Sequence, residues 1–200
     1  MVNTASQMID LGTPLPTFSL PDVLGGMHSP AASADSKGTL VVFMCNHCPF
    51  VKYIREELAK LGRDCASLGV AMYGINANDF AQYPDDSPAR MKEESILSGY
   101  VFPYLLDEDQ SVAKLFRAAC TPDFFLYDAA GKLTYRGQLD GSRPGNDVVV
   151  TGEDLRAAMR RSSRASRPAR TPSRALAATS SGSRATSRPG SGRGGEAIAG

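Results

Sequence analysis

Two hundred residues, 42% of them hydrophobic and 22% charged, describe one ordinary domain with room for a tail. No apolar run approaches the ~20 residues of a membrane-spanning helix, and four cysteines are too few for a disulfide-stapled secreted scaffold. The net charge of +1 conceals a division: residues 156–200 hold ten Arg and one acid, Glu196, for +9, while the preceding residues hold 12 basic and 20 acidic groups, for −8.

Residues 1–10 show no basic stretch followed by an apolar one, so no secretory signal is expected. Leu40, Val41, Val42, Phe43 and Met44 form a short continuous apolar run, the pattern of a strand buried on both faces. After Cys45-Asn46-His47-Cys48-Pro49, the residues Val51, Ile54, Leu58 and Leu61 recur at helical spacing, and Gly69 stops that helix. Residues 70–75 read as a second buried strand and 76–84 as a polar loop. Ser87-Pro88 opens the next helix, with Ser as cap and Pro in the first turn. Residues 102–106 predict a short strand, and Val112, Leu115, Phe116 and Ala119 stripe a further helix. A strand over 124–127, a turn over 128–131 and a strand over 133–137 follow. Thr151-Gly152-Glu153-Asp154 predicts a capping box ahead of Leu155, Ala158 and Met159. A β-α-β series, two adjacent strands and a closing helix make an α/β domain with a mixed sheet. The domain is expected over 1–160. Residues 161–200 are almost wholly Arg, Ser, Ala, Gly, Pro and Thr without an aromatic, too little apolar surface to offset the entropy of ordering, and are read as disordered.

The segment Cys45-Asn46-His47-Cys48 leaves a predicted strand and enters a predicted helix. A cysteine there lies near the positive end of the helix dipole and near unpaired N–H groups, both of which favour thiolate. Cys48 is close enough to resolve a mixed disulfide, and His47 can add positive charge or a hydrogen bond. Spacing and context point to redox chemistry in an intracellular protein. The pair is also half of a zinc site. The remaining candidates, His47, His28, Cys65 and Cys120, form no second close pair, so no metal is expected. Thr121-Pro122 heads a buried strand, where proline is tolerated and a cis bond is open to it. Cys120 beside it is either a third redox thiol or a small buried residue. Cys65 reads as structural, His28 as solvated in a polar loop, and Asp85-Asp86 as a solvated loop rather than a catalytic pair.

These residues resemble the thioredoxin-like superfamily. Within it they are similar to the redoxin branch (alkyl hydroperoxide reductase/thiol-specific antioxidant type), in the peroxiredoxin-like group with a thioredoxin-type CxxC. The resemblance spans about residues 11–159. Its runs are Pro14-Leu15-Pro16-Thr17-Phe18-Ser19-Leu20, Phe43-Met44-Cys45-Asn46-His47-Cys48-Pro49-Phe50-Val51, Asn76-Ala77-Asn78-Asp79, Ala119-Cys120-Thr121-Pro122-Asp123-Phe124-Phe125 and Tyr135-Arg136-Gly137-Gln138-Leu139-Asp140. It implies a thioredoxin-like fold, a central mixed sheet flanked by helices. It implies Cys45 as nucleophile, exposed at the start of the active-site helix, and Cys48 as resolving thiol, with Asn46, His47 and Pro49 modulating the pair. It also implies a cis Thr121–Pro122 bond facing the disulfide, where a substrate chain can pair with backbone. The chain departs from the family in places. The peroxiredoxin Pro-x-x-x-Thr/Ser-x-x-Cys motif, matched on Cys48, has Val41 and Cys45 at its Pro and Thr positions. Cys120-Thr121-Pro122 stands where a partner Arg belongs. No Trp precedes the CxxC, and Thr39 occupies the place of the buried acid on the preceding strand.

The reading is a thiol–disulfide oxidoreductase: the Cys45 thiolate attacks a disulfide and Cys48 releases the product. Its partners are protein or small-molecule disulfides and a thiol electron donor. No bound cofactor is needed, because the Cys45–Cys48 disulfide is the redox centre. The protein is expected to be cytoplasmic, with no membrane partner and with nucleic-acid contact at most non-specific through the tail. Two other readings use the same thiols. One is a peroxidase with Cys48 oxidised to sulfenic acid, for which slow turnover is expected. The other is a non-enzymatic redox-sensing or metal-binding module. The change of composition after Met159 reads as translation of GC-rich coding sequence in a shifted frame, with a solvated linker or polyanion-binding tail as alternatives.

Overall fold

The computed structural model describes residues 9–30 and 36–165, with side chains through Ser162. The expected disordered stretch beyond 165 lies outside the described residues. A short hairpin, β1 (Leu20–Pro21) and β2 (Met27–His28), precedes β3 (Gly38–Phe43), α1 (Pro49–Leu68) and β4 (Val70–Asn76). A 3-10 turn (Pro84–Asp86), α2 (Pro88–Ser98), β5 (Tyr104–Leu106) and α3 (Ser111–Phe116) follow. The chain then forms β6 (Asp123–Asp128), β7 (Leu133–Gly137) and α4 (Glu153–Ala165). The main sheet has the order β5-β4-β3-β6-β7. β3, β4 and β5 are parallel, and β6 and β7 run antiparallel to their neighbours. This is the helix-flanked mixed sheet that the resemblance implies. No helix among the described residues is long and apolar enough to cross a membrane.

All six residues of the central strand β3 are buried, and the two-residue period divides them between two cores. Leu40 and Val42 pack with Ile54, Leu58 and Leu61 of α1. Val41 and Phe43 face the other way, toward Phe116 and Phe125. The site sits where β3 ends and α1 begins, at the end of the sheet reached by β6 with Thr121 and Pro122.

Several local expectations shift. β5 begins at Tyr104, not at 102, because Pro103 has no N–H to give the ladder. α3 buries Val112 and Phe116 but turns Leu115 outward, and it ends at Arg117 in a left-handed conformation, short of Ala119. Ser87 caps α2 by position but makes no side-chain cap bond. His28 is not simply solvated: its Nε2 is 2.6 Å from Asp22 Oδ2. Cys65 lies on the buried face of α1, and burial pushes its thiol up to about 12. The boundary expected at 160 falls inside α4. Leu155, Ala158, Met159 and Ser162 share one buried face, so the helical stripe continues past it.

Gly62 lies mid-helix in α1, where glycine costs ~1 kcal/mol relative to alanine. A Cβ there would stand 2.6 Å from Cδ1 of Phe102, whose ring is itself stacked on Tyr100 at 4.8 Å. Gly62→Ala should therefore destabilise by ~1–3 kcal/mol through overpacking, reduced by the helix-propensity gain. The urea midpoint should fall at unchanged slope. A raised midpoint would show that the Phe102 ring yields freely.

Candidate active site

The last ladder contact of the β3 edge is Met44 N–H to Ile75 O, 2.9 Å. The chain then turns through Cys45, Asn46 and His47. Cys48 is the N-cap of α1 and Pro49 opens the first turn, a position where its missing N–H costs nothing. The helix entrance therefore belongs to Cys48, and the expected order of exposure is reversed: Cys45 is 1% exposed and Cys48 8%. Cys48 also faces a groove of about 920 Å³ whose lining includes His47, Pro49, Cys120, Thr121 and Pro122 but not Cys45. Asn46 is buried beneath the loop, held by Tyr104 Oη donating to its Oδ1 at 3.0 Å and by its own Nδ2 donating to Asp85 O at 2.9 Å. The Thr121–Pro122 peptide is cis.

Thr121 touches both sulfurs. Its Oγ1 is 3.4 Å from Cys45 Sγ, and its carbonyl oxygen is 3.3 Å from Cys48 Sγ. As a thiol, Cys48 donates to the Thr121 carbonyl; as a thiolate, it accepts the Cys45 thiol hydrogen, and then bonds from the Thr121 hydroxyl and from the N–H groups of Val51 and Phe50 at the helix start. Together these outweigh burial and bring Cys48 from 9.0 down to about 5. Cys45 moves the opposite way, held as a thiol by its bond to Cys48, by burial and by the charge of Asp86. Of the two thiols, Cys48 is thus the one that gives up its proton more readily. Cys120 is half-buried in the same groove, and burial followed by Asp123 raises its thiol.

Asp85 is exposed as expected, but Asp86 is fully buried and belongs to the site. Its Oδ1 accepts the N–H of Asn46 at 2.7 Å and of His47 at 3.2 Å. Its Oδ2 accepts Asn78 Nδ2 at 3.0 Å and bonds His47 Nδ1. The His47 ring is stacked on Tyr83, with centroids 4.3 Å apart and planes 4° from parallel. A buried carboxylate is thus present, supplied by the 3-10 turn before α2 rather than by β3 at Thr39. The usable signal was Pro84 opening a tight turn, which places Tyr83 and Asp86, three apart, on one side. Cys45 Sγ, a His47 ring nitrogen and an Asp86 oxygen lie within 4.8 Å of one another. Among the described residues, that set has the chemistry to hold a metal ion.

The AhpC/TSA family profile matches residues 11–136. The chain belongs to the AhpC/TSA family. A relative of this redoxin, the thiol:disulfide interchange protein DsbE of Pseudomonas fluorescens biotype C, is 32% identical over 135 residues, covering 65% of this chain and 68% of that protein. A hypothetical protein from Sinorhizobium meliloti 1021 has 49% identity and a TM-score of 0.78, over 80% of this chain and 87% of that one. A secreted Mycobacterium tuberculosis disulfide oxidoreductase homologous to Escherichia coli DsbE is 17% identical, with a TM-score of 0.55 over 72% of this chain and 95% of that one. That last likeness is one of fold alone: the redoxin is thioredoxin-like.

The opposed shifts of the two thiols give stability a pH dependence. Between about 5 and 9.0, native Cys48 is ionised while its unfolded counterpart holds a proton, so the reduced protein gains stability as pH rises. Above 9.0, native Cys45 keeps a proton that the unfolded chain loses, so stability falls again. Urea denaturation of the reduced protein, compared with a Cys45→Ser/Cys48→Ser double variant, should show this rise and fall in the difference. A flat difference would mean that Cys48 is an ordinary thiol.

Proposed function

We propose that this redoxin exchanges thiols and disulfides through Cys45 and Cys48, with Cys48 as the attacking thiolate. The observation that carries the reading is the position of Cys48: it faces the groove at the N-cap of α1 while Cys45 lies behind it as a thiol. Exposure and helix-end hydrogen bonding favour attack by Cys48 over the Cys45 attack that the resemblance implied.

In the reductive direction the Cys48 thiolate attacks a substrate disulfide, forming a mixed disulfide and releasing one substrate sulfur as thiolate. Cys45 must then lose its proton. The Asp86–His47 pair lies within 4.8 Å of Cys45 Sγ, too far for direct contact, and accepts it through one bridging water. The Cys45 thiolate attacks Cys48 Sγ, the second substrate thiolate leaves, and a Cys45–Cys48 disulfide remains. Two electrons have passed to the substrate, and a thiol donor restores the dithiol. No bound cofactor takes part. Asp86 holds the loop by the N–H groups of Asn46 and His47, so both sulfurs keep their places through the cycle. Substrates, protein or small-molecule disulfides, enter against Thr121 and Pro122.

Insulin reduction with trapping of intermediates tests the roles. Cys48→Ser should abolish turnover, and Cys45→Ser should accumulate a mixed disulfide at Cys48. Brief alkylation near neutral pH should label Cys48 first. Trapping at Cys45 would reverse the roles, and a wild-type protein inert toward every disulfide would end the proposal.

The low position of the Cys48 thiol also favours a second reading, oxidation by peroxide to a sulfenic acid that condenses with Cys45 and loses water. Val41 and Cys45 stand at the motif's Pro and Thr positions, so turnover should be slow. Rapid, saturable peroxide consumption by Cys45→Ser, with sulfenic acid at Cys48, would favour this reading.

A further inference from the structure

We propose that the groove over Cys48 selects small, multiply anionic disulfides, through a cationic wall formed by Lys114, Arg117 and Arg143. The proposal rests on the disulfide-exchange reading and adds the substrate class.

The contrast in charge carries it. Residues 1–155 bear a net −8, yet the lysine, arginine and carboxylate side chains lining this groove are Lys114, Arg117, Arg143, Asp123 and Asp140. Both carboxylates are buried and committed within the fold. Asp123 pairs with Arg136 at 3.1 Å. Asp140 accepts the N–H groups of Thr151 at 2.7 Å and Gly152 at 2.5 Å, and the Ser142 hydroxyl. With Asp123 paired, Lys114, Arg117 and Arg143 outnumber the one carboxylate left in the lining, Asp140, so the groove is net positive on a body that is net negative. A cleft lined by one sign focuses the field and concentrates counter-ions at its mouth, raising on-rates by roughly 10- to 10³-fold.

The wall is also held in place. The Arg143 guanidinium donates to the carbonyls of Asp140 at 2.9 Å and Ser142 at 2.6 Å and to Gln138 Oε1, so the charged head is fixed in place by neutral acceptors and forms no ion pair with a carboxylate. Arg117 ends α3 at a φ of 49°, uncommon for a residue with a side chain. Its carbonyl accepts a 2.9 Å bond from buried Arg136, which anchors the turn. Lys114 sits one helical turn earlier and is exposed. A volume of about 920 Å³ accommodates a disulfide of two short peptides or similar groups beside Cys48.

The test uses the reduced full-length protein and three small disulfides: glutathione disulfide, which is anionic; hydroxyethyl disulfide, which is neutral; and cystamine, which is cationic. Each rate is divided by that of a neutral reference thiol with the same disulfide, which removes intrinsic reactivity. The corrected rate for glutathione disulfide should exceed that for hydroxyethyl disulfide at least about tenfold, with cystamine slowest, and the gap should narrow as salt rises. In Lys114→Glu/Arg117→Glu the ratio of anionic to neutral rates should fall by about tenfold or more, and in Lys114→Gln/Arg117→Gln by less. Equal corrected rates for the three disulfides would overturn the proposal and leave the exchange reading standing. No exchange with any of them would overturn both. A preference that survives the Glu substitutions comes from elsewhere on the chain, such as the Arg-rich residues 156–200, and overturns the assignment to the groove.

Discussion

Arg136→Met should cost ~3–5 kcal/mol of folding stability, because it leaves the Asp123 carboxylate buried without its counter-charge. The two side chains are almost wholly inaccessible and 3.1 Å apart. The guanidinium also lies 4.6 Å over the Phe125 ring and donates to the Arg117 carbonyl. Removing it therefore affects the first residue of β6 and the turn after α3 together. A buried pair is replaced far more easily than it is broken, so Asp123→Val combined with Arg136→Met should recover most of the loss. Chemical denaturation of the single and double variants measures this. A single-variant cost under ~1 kcal/mol would place the pair in effective contact with water.

Asp86→Asn should separate the two halves of the exchange reaction. The amide oxygen can still accept the N–H groups of Asn46 and His47, so the loop keeps its main tether. What is lost is the carboxylate that, with His47, takes the proton from Cys45 in the proposed reaction. General-base assistance of this kind is worth roughly 10²- to 10⁴-fold. Two effects compete, since the charge of Asp86 also helps to keep Cys45 protonated. Among the influences on Cys45, it ranks behind the bond to Cys48, burial and Thr121. Loss of the base should therefore dominate. Rapid-quench measurement should find the mixed disulfide at Cys48 forming at nearly the wild-type rate and then persisting. Faster resolution in the variant would show that repulsion, not proton transfer, is the main action of Asp86.

The parts of this protein legible in its sequence are those written in local patterns. The apolar run of β3, the helical spacing of α1 and the glycine at its end are each decided within a few residues. The position of Thr121-Pro122 before a buried strand is equally local. The helix entrance was legible too, but in Pro49 rather than in the cysteine spacing. Proline favours the first helical position, which puts the cap on the residue before it, Cys48. The extent of α3 was not legible, because Leu115 and Phe116 are equally apolar, and only packing against β6 decides which turns inward. Asp86 was the largest omission. Its bonds to Asn46 and His47 span 40 and 39 positions of chain, and although Pro84 marks a turn that sets Tyr83 and Asp86 on one side, the local sequence does not show that this side faces the interior. Burial of an acid is settled by what the fold places opposite it.

The wide separation of the groups around Cys45 and Cys48 has a consequence for the order in which the chain is made. The two sulfurs leave the ribosome first, Asp86 follows some 40 residues later, and Thr121 comes 76 residues after Cys45. During synthesis the nascent chain therefore carries cysteines not yet enclosed by the fold, without Asp86, which helps to hold Cys45 as a thiol, and without Thr121, which bonds at the pair. Burial and the Thr121 contacts therefore reach the two thiols only when the fold is completed, after the chain has passed through its most exposed period.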